Sequence, residues 1–219
     1  MYRKVRTILT HPQSLRKKSV PFAPHTEWSQ QDHQDVADLK DTFSVLQGYG
    51  LAAPQIGISK RAVIVSFSAL GLGEGDLVMI NPQMQTFGDE QRNQESCFSV
   101  PHISAYVRRP LNCVIEYTTE LGEQSVLELS GFPAACLQHE IDHLDGKVYL
   151  DRIGSAWRNI LRNKIKKIEK KKKAEERAAK EEFEREHQEI MGVVKKKTGH
   201  SRKRKPKTRK KRPSRSKKR

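Results

Sequence analysis

The chain has 219 residues, a formal net charge of +16 and three cysteines. The odd cysteine count argues against a disulfide framework, and no run of about 18 apolar residues is present to span a bilayer. Residues 1–154 carry 14 Lys/Arg and 18 Asp/Glu, a net charge of −4, whereas residues 155–219 carry 28 and 8, a net charge of +20. We therefore expect one ordinary domain followed by an extension too polar to bury a core.

The first predicted element is an amphipathic helix between Asp35 and Leu46, where apolar residues recur every three or four positions. Four short apolar runs, each bounded by Gly, Pro or polar clusters, are predicted as strands: Ala62–Phe67, Leu77–Ile80, Asn112–Tyr117 and Ser125–Leu129. A second helix is predicted from Pro133, which suits a first helical turn, to about Leu144. This order of elements predicts an α+β domain.

The helix ending near Leu144 carries the pattern His139-Glu140-x-x-His143. Because the two histidines are four residues apart, their rings project from one face and can bind one cation. Glu140 can then hold a water that the metal activates. The same pattern also occurs on ordinary surface helices, so its interpretation depends on a third ligand.

Two common sources of a third ligand are missing. One zinc-protease pattern is followed through Gly146, but Tyr149 stands where its third histidine belongs. A downstream glutamate appears first at position 169, among lysines. A thiolate is an accepted partner of two histidines for zinc or iron. Cys113 lies in a predicted strand and is interpreted as a core residue, which leaves Cys97 and Cys136 open.

Three segments in order resemble peptide deformylase, the enzyme that removes the formyl group from the initiator methionine of new bacterial proteins. They are GYGLAAPQIG at residues 48–57, ESCFSVP at 95–101 and QHEIDHLDG at 138–146. The resemblance covers residues 1 to about 165. It implies an α+β fold with small mixed or antiparallel sheets around a central metal-binding helix. The composition of the residues that follow predicts a basic helical and disordered extension.

By this resemblance, Cys97, His139 and His143 are the metal ligands and Glu140 is the general base and acid. The metal is expected to be Fe²⁺, with Zn²⁺ or Ni²⁺ as alternatives, and a water that it binds would attack the formyl group. The Gln55 side chain and the Phe98 backbone N–H match the oxyanion donors. The positions that match substrate-binding residues are Tyr49, Gly50, Phe132, Ala135 and Cys136.

Two residues depart from the family's usual pattern. Ser96 replaces the glycine before the ligand cysteine, which would strain the backbone if this position needs a positive φ. Phe98 replaces a leucine, but its expected catalytic group is a main-chain N–H. Outside the motifs, Asp142 and Asp145 are predicted to be helix-surface or capping residues.

The sequence predicts three regions: a catalytic domain at 1–154, a helical extension at 155–190 and a disordered basic tail at 191–219. An apolar stripe between Trp157 and Ile168 is expected to pack on the domain or on a partner, and lysine and glutamate alternate at helical spacing after it. The tail contains no acidic residue, and we expect it to attract phosphate, with ribosomal RNA as the hypothetical partner.

The expected substrates are formylmethionyl nascent peptides. The absence of an apolar leader in the sequence given predicts a cytoplasmic enzyme that does not contact membranes. Two other classes remain as alternatives. A metalloprotease would cleave internal peptide bonds, and a nucleic-acid-binding protein would use the basic tail without catalysis; the retained ligand and base residues argue against the second.

Overall fold

The structure is a computed structural model, and it describes residues 5–10 and 15–199. The chain divides into two compact units, one up to Ile165 and one from Lys166. The first unit extends beyond the predicted domain end at residue 154. In the described part of the chain, no helix is both long and apolar enough to cross a membrane.

Five strands form one antiparallel sheet in chain order: β1 (Gly50–Ala52), β2 (Ala62–Ser66), β3 (Asp76–Cys97), β4 (Val100–Thr118) and β5 (Gln124–Ser130). The predicted α+β fold is confirmed, although the strands belong to a single sheet. Each predicted strand falls within one of the last four observed strands or overlaps it closely. The short β1 was not predicted, because only backbone pairing with β2 identifies it as a strand.

β3 and β4 are much longer than predicted, and together they form a hairpin that extends beyond the rest of the sheet. The extended part has few apolar residues, so it lacks the pattern that identifies a strand in sequence. Its ladder is interrupted three times by irregular register. Residue 96 pairs with residue 104 close to the hairpin turn, which brings the end of β3 next to the central helix.

Helix α1 runs from Gln30 to Phe43, so it begins and ends earlier than predicted. Its start is fixed by a capping box in which Ser29 and Asp32 satisfy each other's backbone N–H groups. Helix α2 is a single turn, Phe67–Leu70. Helix α3 runs from Gly131 to Leu144, close to the predicted bounds.

Strand β2 is buried on both faces and separates two apolar layers. Its side chains alternate, so Val63 and Val65 contribute to the layer with α3, whereas Ala62 and Ile64 contribute to the layer with α1. Burial on both sides explains why this strand reads as a continuous apolar run. Helix α3 therefore packs against the sheet in the core of the domain. Ten of the fourteen residues of this helix are buried.

Helix α4 runs from Ser155 to Gly199. Its first turn is held by Arg158, whose guanidinium donates to the carbonyl oxygens of Leu150, Asp151 and Ile153. Trp157 and Ile160 are exposed, so these two residues of the predicted apolar stripe do not pack on the domain. The helix continues past the boundary expected at residue 190, and residues 200–219 of the predicted tail lie outside the described part.

Candidate active site

Cys97, His139 and His143 come together at the junction of β3 and α3. One ligand atom from each residue lies within 4.8 Å of the others, so this set could hold a metal ion. The Sγ atom of Cys97 is 3.3 Å from Nε2 of His143. The helix brings the two histidines together and the hairpin supplies the thiol. Soft sulfur and imidazole nitrogen suit a transition metal or zinc, so the donors fit the metal that the sequence predicts.

The three cysteines differ in their acid strength. Burial alone would raise the pKa of Cys97, but His143 and His139 outweigh it and hold the pKa well below the usual range. Burial raises the pKa of Cys113 to about 11, and burial together with Glu140 raises that of Cys136 to about 12. Because a thiolate is the form that binds metals, Cys97 is the cysteine best suited to be a ligand.

A buried ion network positions His139. Its Nδ1 atom lies 2.8 Å from Oε2 of Glu95. The two oxygens of this carboxylate each accept a hydrogen bond from the Arg109 guanidinium. Arg109 is fully buried and also donates to the Asp142 carboxylate. Arg152 donates two further hydrogen bonds to Asp142. The prediction that Asp142 is a surface or capping residue is wrong. It follows His139 by three positions, a spacing that places both residues on one helix face.

Replacing Arg109 by Leu should lower the free energy of unfolding by about 3–5 kcal/mol, because it removes the guanidinium that binds the buried Glu95 carboxylate and one of the two that bind Asp142. Urea unfolding of the variant measures this loss. The matched control is Arg108→Leu, whose side chain is 77% exposed. It should change stability by no more than about 0.5 kcal/mol. Equal stability of the two variants would contradict the structural role of Arg109.

Glu140 lies beside the three candidate ligands, and its carboxylate is buried. Within the described residues its Oε2 atom has no hydrogen-bond partner. Burial raises its pKa, although His139 and His143 act in the opposite direction. Gly50 makes this arrangement possible, because a Cβ atom there would lie 2.8 Å from Cγ of Glu140. A larger residue at position 50 would displace the carboxylate.

The amide of Gln55 has a fixed orientation. Gln55 lies in a 3-10 turn, and its Oε1 atom accepts a hydrogen bond of 2.8 Å from the Ala52 N–H. Since that backbone group can only donate, Nε2 must point the other way. It lies 3.4 Å from Cys97 Sγ and 3.3 Å from Ser99 Oγ. Gln55 therefore presents an N–H donor to the candidate metal site.

A cavity of about 600 Å³ opens beside these residues. Its lining includes Glu140, Gln55 and Phe98, and all five residues predicted to bind substrate: Tyr49, Gly50, Phe132, Ala135 and Cys136. The Tyr49 and Phe132 rings meet edge to face with centroids 4.9 Å apart. The cavity also reaches Gly50 at the start of β1, which is an edge strand of the sheet.

The two departures from the family pattern fit without backbone strain. Among the described residues, Asn81 and His102 are the non-glycine positions with positive φ, so Ser96 does not need the conformation of a glycine. The Phe98 ring packs against Gly48, where a Cβ atom would lie 2.5 Å from Cζ. The larger ring is therefore accommodated by the glycine-containing segment before β1.

Sequence reasoning missed Tyr149 as a site residue. Its ring stacks on His139 with centroids 5.8 Å apart and an angle of 25° between planes. Its hydroxyl donates to the Ile103 carbonyl oxygen at 2.9 Å, which links the 3-10 turn after α3 to β4. No periodic pattern in the sequence indicates this role. Tyr149 could be noticed only as the residue in place of a third histidine.

The sequence profile of the polypeptide deformylase family matches residues 5–159. A peptide deformylase of Bartonella quintana is 36% identical over 163 residues, which cover 74% of this chain and 91% of the relative. A structure of the Ehrlichia chaffeensis peptide deformylase in complex with actinonin is 32% identical, covers 77% of this chain and 98% of its own, and gives a TM-score of 0.67.

A class I type b peptide deformylase from Acinetobacter baumannii, with Met-Ala-Ser bound, is 30% identical. It covers 69% of this chain and 100% of its own, with a TM-score of 0.62. The family profile spans both candidate histidines, the cysteine and the cavity residues. The family prediction is confirmed, and the chain belongs to the peptide deformylase family of hydrolases.

Proposed function

We propose that this enzyme removes the N-formyl group from formylmethionine at the start of nascent polypeptides. The observation that carries the proposal is that Glu140 and Gln55 line one cavity with Cys97 and His139, which form a possible metal site together with His143. A hydrolase needs a proton carrier and a donor for the developing oxyanion, and the two side chains supply these groups.

Cys97, His139 and His143 would hold the metal, with Fe²⁺ as the proposed ion and Zn²⁺ or Ni²⁺ as alternatives. A divalent ion at such a site makes water more acidic and polarises a carbonyl group. The buried Glu95 carboxylate accepts from His139 Nδ1, which leaves Nε2 of that ring for the ion. The lowered pKa of Cys97 supplies a thiolate.

Glu140 is the proposed general base and acid. Burial moves the pKa of this carboxyl group upwards, towards neutral pH. The group can therefore both take a proton from water and return it to the departing amine. Its unpartnered Oε2 atom is free of competing hydrogen bonds from the described residues. Proton transfer by a positioned group of this kind typically contributes a factor of about 10²–10⁴.

Gln55 Nε2 and the Phe98 backbone N–H are the proposed donors to the formyl oxygen. The Ala52 N–H holds the Gln55 amide with its nitrogen towards the cavity before substrate arrives, so no reorientation is needed during the reaction. Ser99 acts through its hydrogen bond to this amide and is not a nucleophile in this scheme.

The methionine side chain is proposed to occupy the part of the cavity lined by Phe132, Ala135 and Cys136. The peptide backbone would align with Tyr49 and Gly50 at the edge strand β1 and add to the sheet by main-chain hydrogen bonds. The Met-Ala-Ser bound to the Acinetobacter relative supports a peptide that begins with methionine.

The direct test is anaerobic purification, metal analysis and an assay on formyl-Met-Ala-Ser. We expect one equivalent of divalent metal, with release of formate and of a free amino terminus. Cleavage at an internal peptide bond with the formyl group retained would support the metalloprotease alternative. Absence of both products from metal-loaded enzyme would favour a binding protein without catalysis.

We also propose that the basic extension attaches the enzyme to the ribosome, and that the enzyme acts in the cytoplasm. Residues 155–219 carry a net charge of +20, whereas residues 1–154 carry −4. Ribosomal RNA presents phosphate next to the emerging substrate, and a basic extension would raise the local enzyme concentration there. The exposed Trp157 and Ile160 are available for a partner at the start of the helix.

Truncation after Ile168 should abolish co-sedimentation with ribosomes and leave turnover of free formyl-Met-Ala-Ser unchanged. For the full chain, log K should fall by roughly 0.7–0.9 per log salt for each phosphate neutralised. Competition with excess duplex DNA distinguishes a specific tether, which stays bound, from a general polycation, which is released. Sedimentation of the truncated enzyme at moderate salt would contradict attachment by this segment.

A further inference from the structure

Strand β3 and helix α3 run side by side along the cavity, and two contacts between them show which strand residue lies level with which helix residue. Gln91 Nε2 donates to the Gly131 carbonyl oxygen at 2.7 Å, and Glu95 binds His139 Nδ1 at 2.8 Å. Four strand residues therefore advance as far as eight helix residues. This agrees with a rise of about 3.3 Å per strand residue and about 1.5 Å per helix residue.

Asn93 lies midway between these two contacts on the strand. Since alternate strand residues share a face, its side chain points in the same direction as those of Gln91 and Glu95. The matching level on the helix is Ala135, midway between Gly131 and His139. Asn93 and Ala135 both line the cavity.

Among the described residues that line the cavity, Glu140 and Asn93 each have a buried side-chain atom without a hydrogen-bond partner, and of the two Asn93 holds the donor. Its Nδ2 atom is buried, and among the described residues nothing accepts a hydrogen bond from it. Ala135 opposite is small, and the neighbouring Cys136 thiol stays protonated because burial raises its pKa to about 12. An unpaired buried amide is costly, and that cost is recovered when a ligand supplies an acceptor.

We propose that Asn93 determines side-chain specificity by placing one hydrogen-bond donor in the pocket for the first residue of the substrate. This inference rests on the proposed deformylase function. The ligand class is a side chain of methionine length that carries an acceptor atom. The thioether sulfur of methionine is a weak acceptor, a sulfoxide oxygen is a strong one, and the norleucine side chain has none. A site that holds a donor discriminates against an analogue that leaves the donor unpaired.

The test compares three formylated tripeptides that end in Ala-Ser and begin with methionine, norleucine or methionine sulfoxide. The wild type should prefer methionine to norleucine by about three- to tenfold in kcat/KM. In Asn93→Leu that preference should disappear, and kcat/KM for the sulfoxide peptide should fall at least about tenfold relative to methionine. The matched control is Gln85→Leu, an exposed β3 residue outside the cavity, which should keep the wild-type ratios.

The outcomes separate the two proposals. If the wild type hydrolyses the formyl peptides without distinguishing methionine from norleucine, the role of Asn93 is overturned while deformylation stands, even if the variant fails to fold. Unchanged ratios in a folded, metal-loaded Asn93→Leu enzyme overturn it as well. If metal-loaded wild-type enzyme releases formate from none of the peptides, the proposed function itself fails.

Discussion

Glu140→Gln should lower kcat by about 10²–10⁴-fold while the enzyme keeps its metal. The substitution preserves the size of the side chain and leaves Cys97, His139 and His143 unchanged, so only proton transfer is removed. Gln also keeps the contact with Gly50, whose missing Cβ makes room for the side chain. The measurements are metal content per chain and kcat on formyl-Met-Ala-Ser.

The matched control for this variant is Glu128→Gln on β5, an exposed carboxylate outside the cavity. It should retain wild-type kcat and metal content, which excludes a general effect of losing one negative charge. Near-normal turnover by Glu140→Gln with full metal occupancy would overturn the role of Glu140 as general base. Loss of metal from the same variant would instead assign Glu140 a part in holding the ion.

Cys97→Ala should lose the metal and with it the activity, whereas Cys136→Ala should keep the metal and mainly raise KM. The pKa of Cys97 is held low by the two histidines, but Cys136 is a neutral thiol in the cavity wall. Losing one side-chain atom from the contact between an apolar pocket and its substrate typically weakens binding about tenfold. Metal analysis after gel filtration and steady-state kinetics measure the two effects.

The third cysteine provides an internal control. Cys113 is fully buried in the layer between the sheet and α3, outside the cavity. Cys113→Ala should therefore lower stability by about 1 kcal/mol without changing metal content or KM. If Cys136→Ala loses the metal and Cys97→Ala keeps it, Cys136 is the ligand. The assignment of Cys97 from the family resemblance is then wrong.

The sequence predicted well the strands and helices that have a clear apolar pattern, and it predicted poorly the segments rich in polar residues. β2 could be predicted because burial on both faces requires a continuous apolar run. The long hairpin of β3 and β4 could not, because backbone pairing stabilises it over a stretch with few buried apolar side chains. The early start of α1 had a signal, the capping box of Ser29 and Asp32, but the apolar pattern begins later.

Among the site residues, spacing alone identified the pair His139 and His143, because four residues make one helical turn. Spacing could not choose between Cys97 and Cys136, and the resemblance to the family made that choice. The structure adds a physical reason, since only the Cys97 thiol lies where two imidazoles favour its ionised form. Asp142 was misread because its charge suggested the surface, while its partner Arg109 is distant in sequence.

The sequence by itself determined the helix with its two histidines and Glu140, the family, and the contrast between an acidic domain and a basic extension. These features depend on residues close together in the chain or on ordered motifs. Only the tertiary structure decided what Glu95, Arg109 and Tyr149 contact, because each meets a partner far away in sequence, and it also placed Asn93 in the cavity wall. Such contacts form when the β3–β4 hairpin packs along α3, and no local pattern encodes that register.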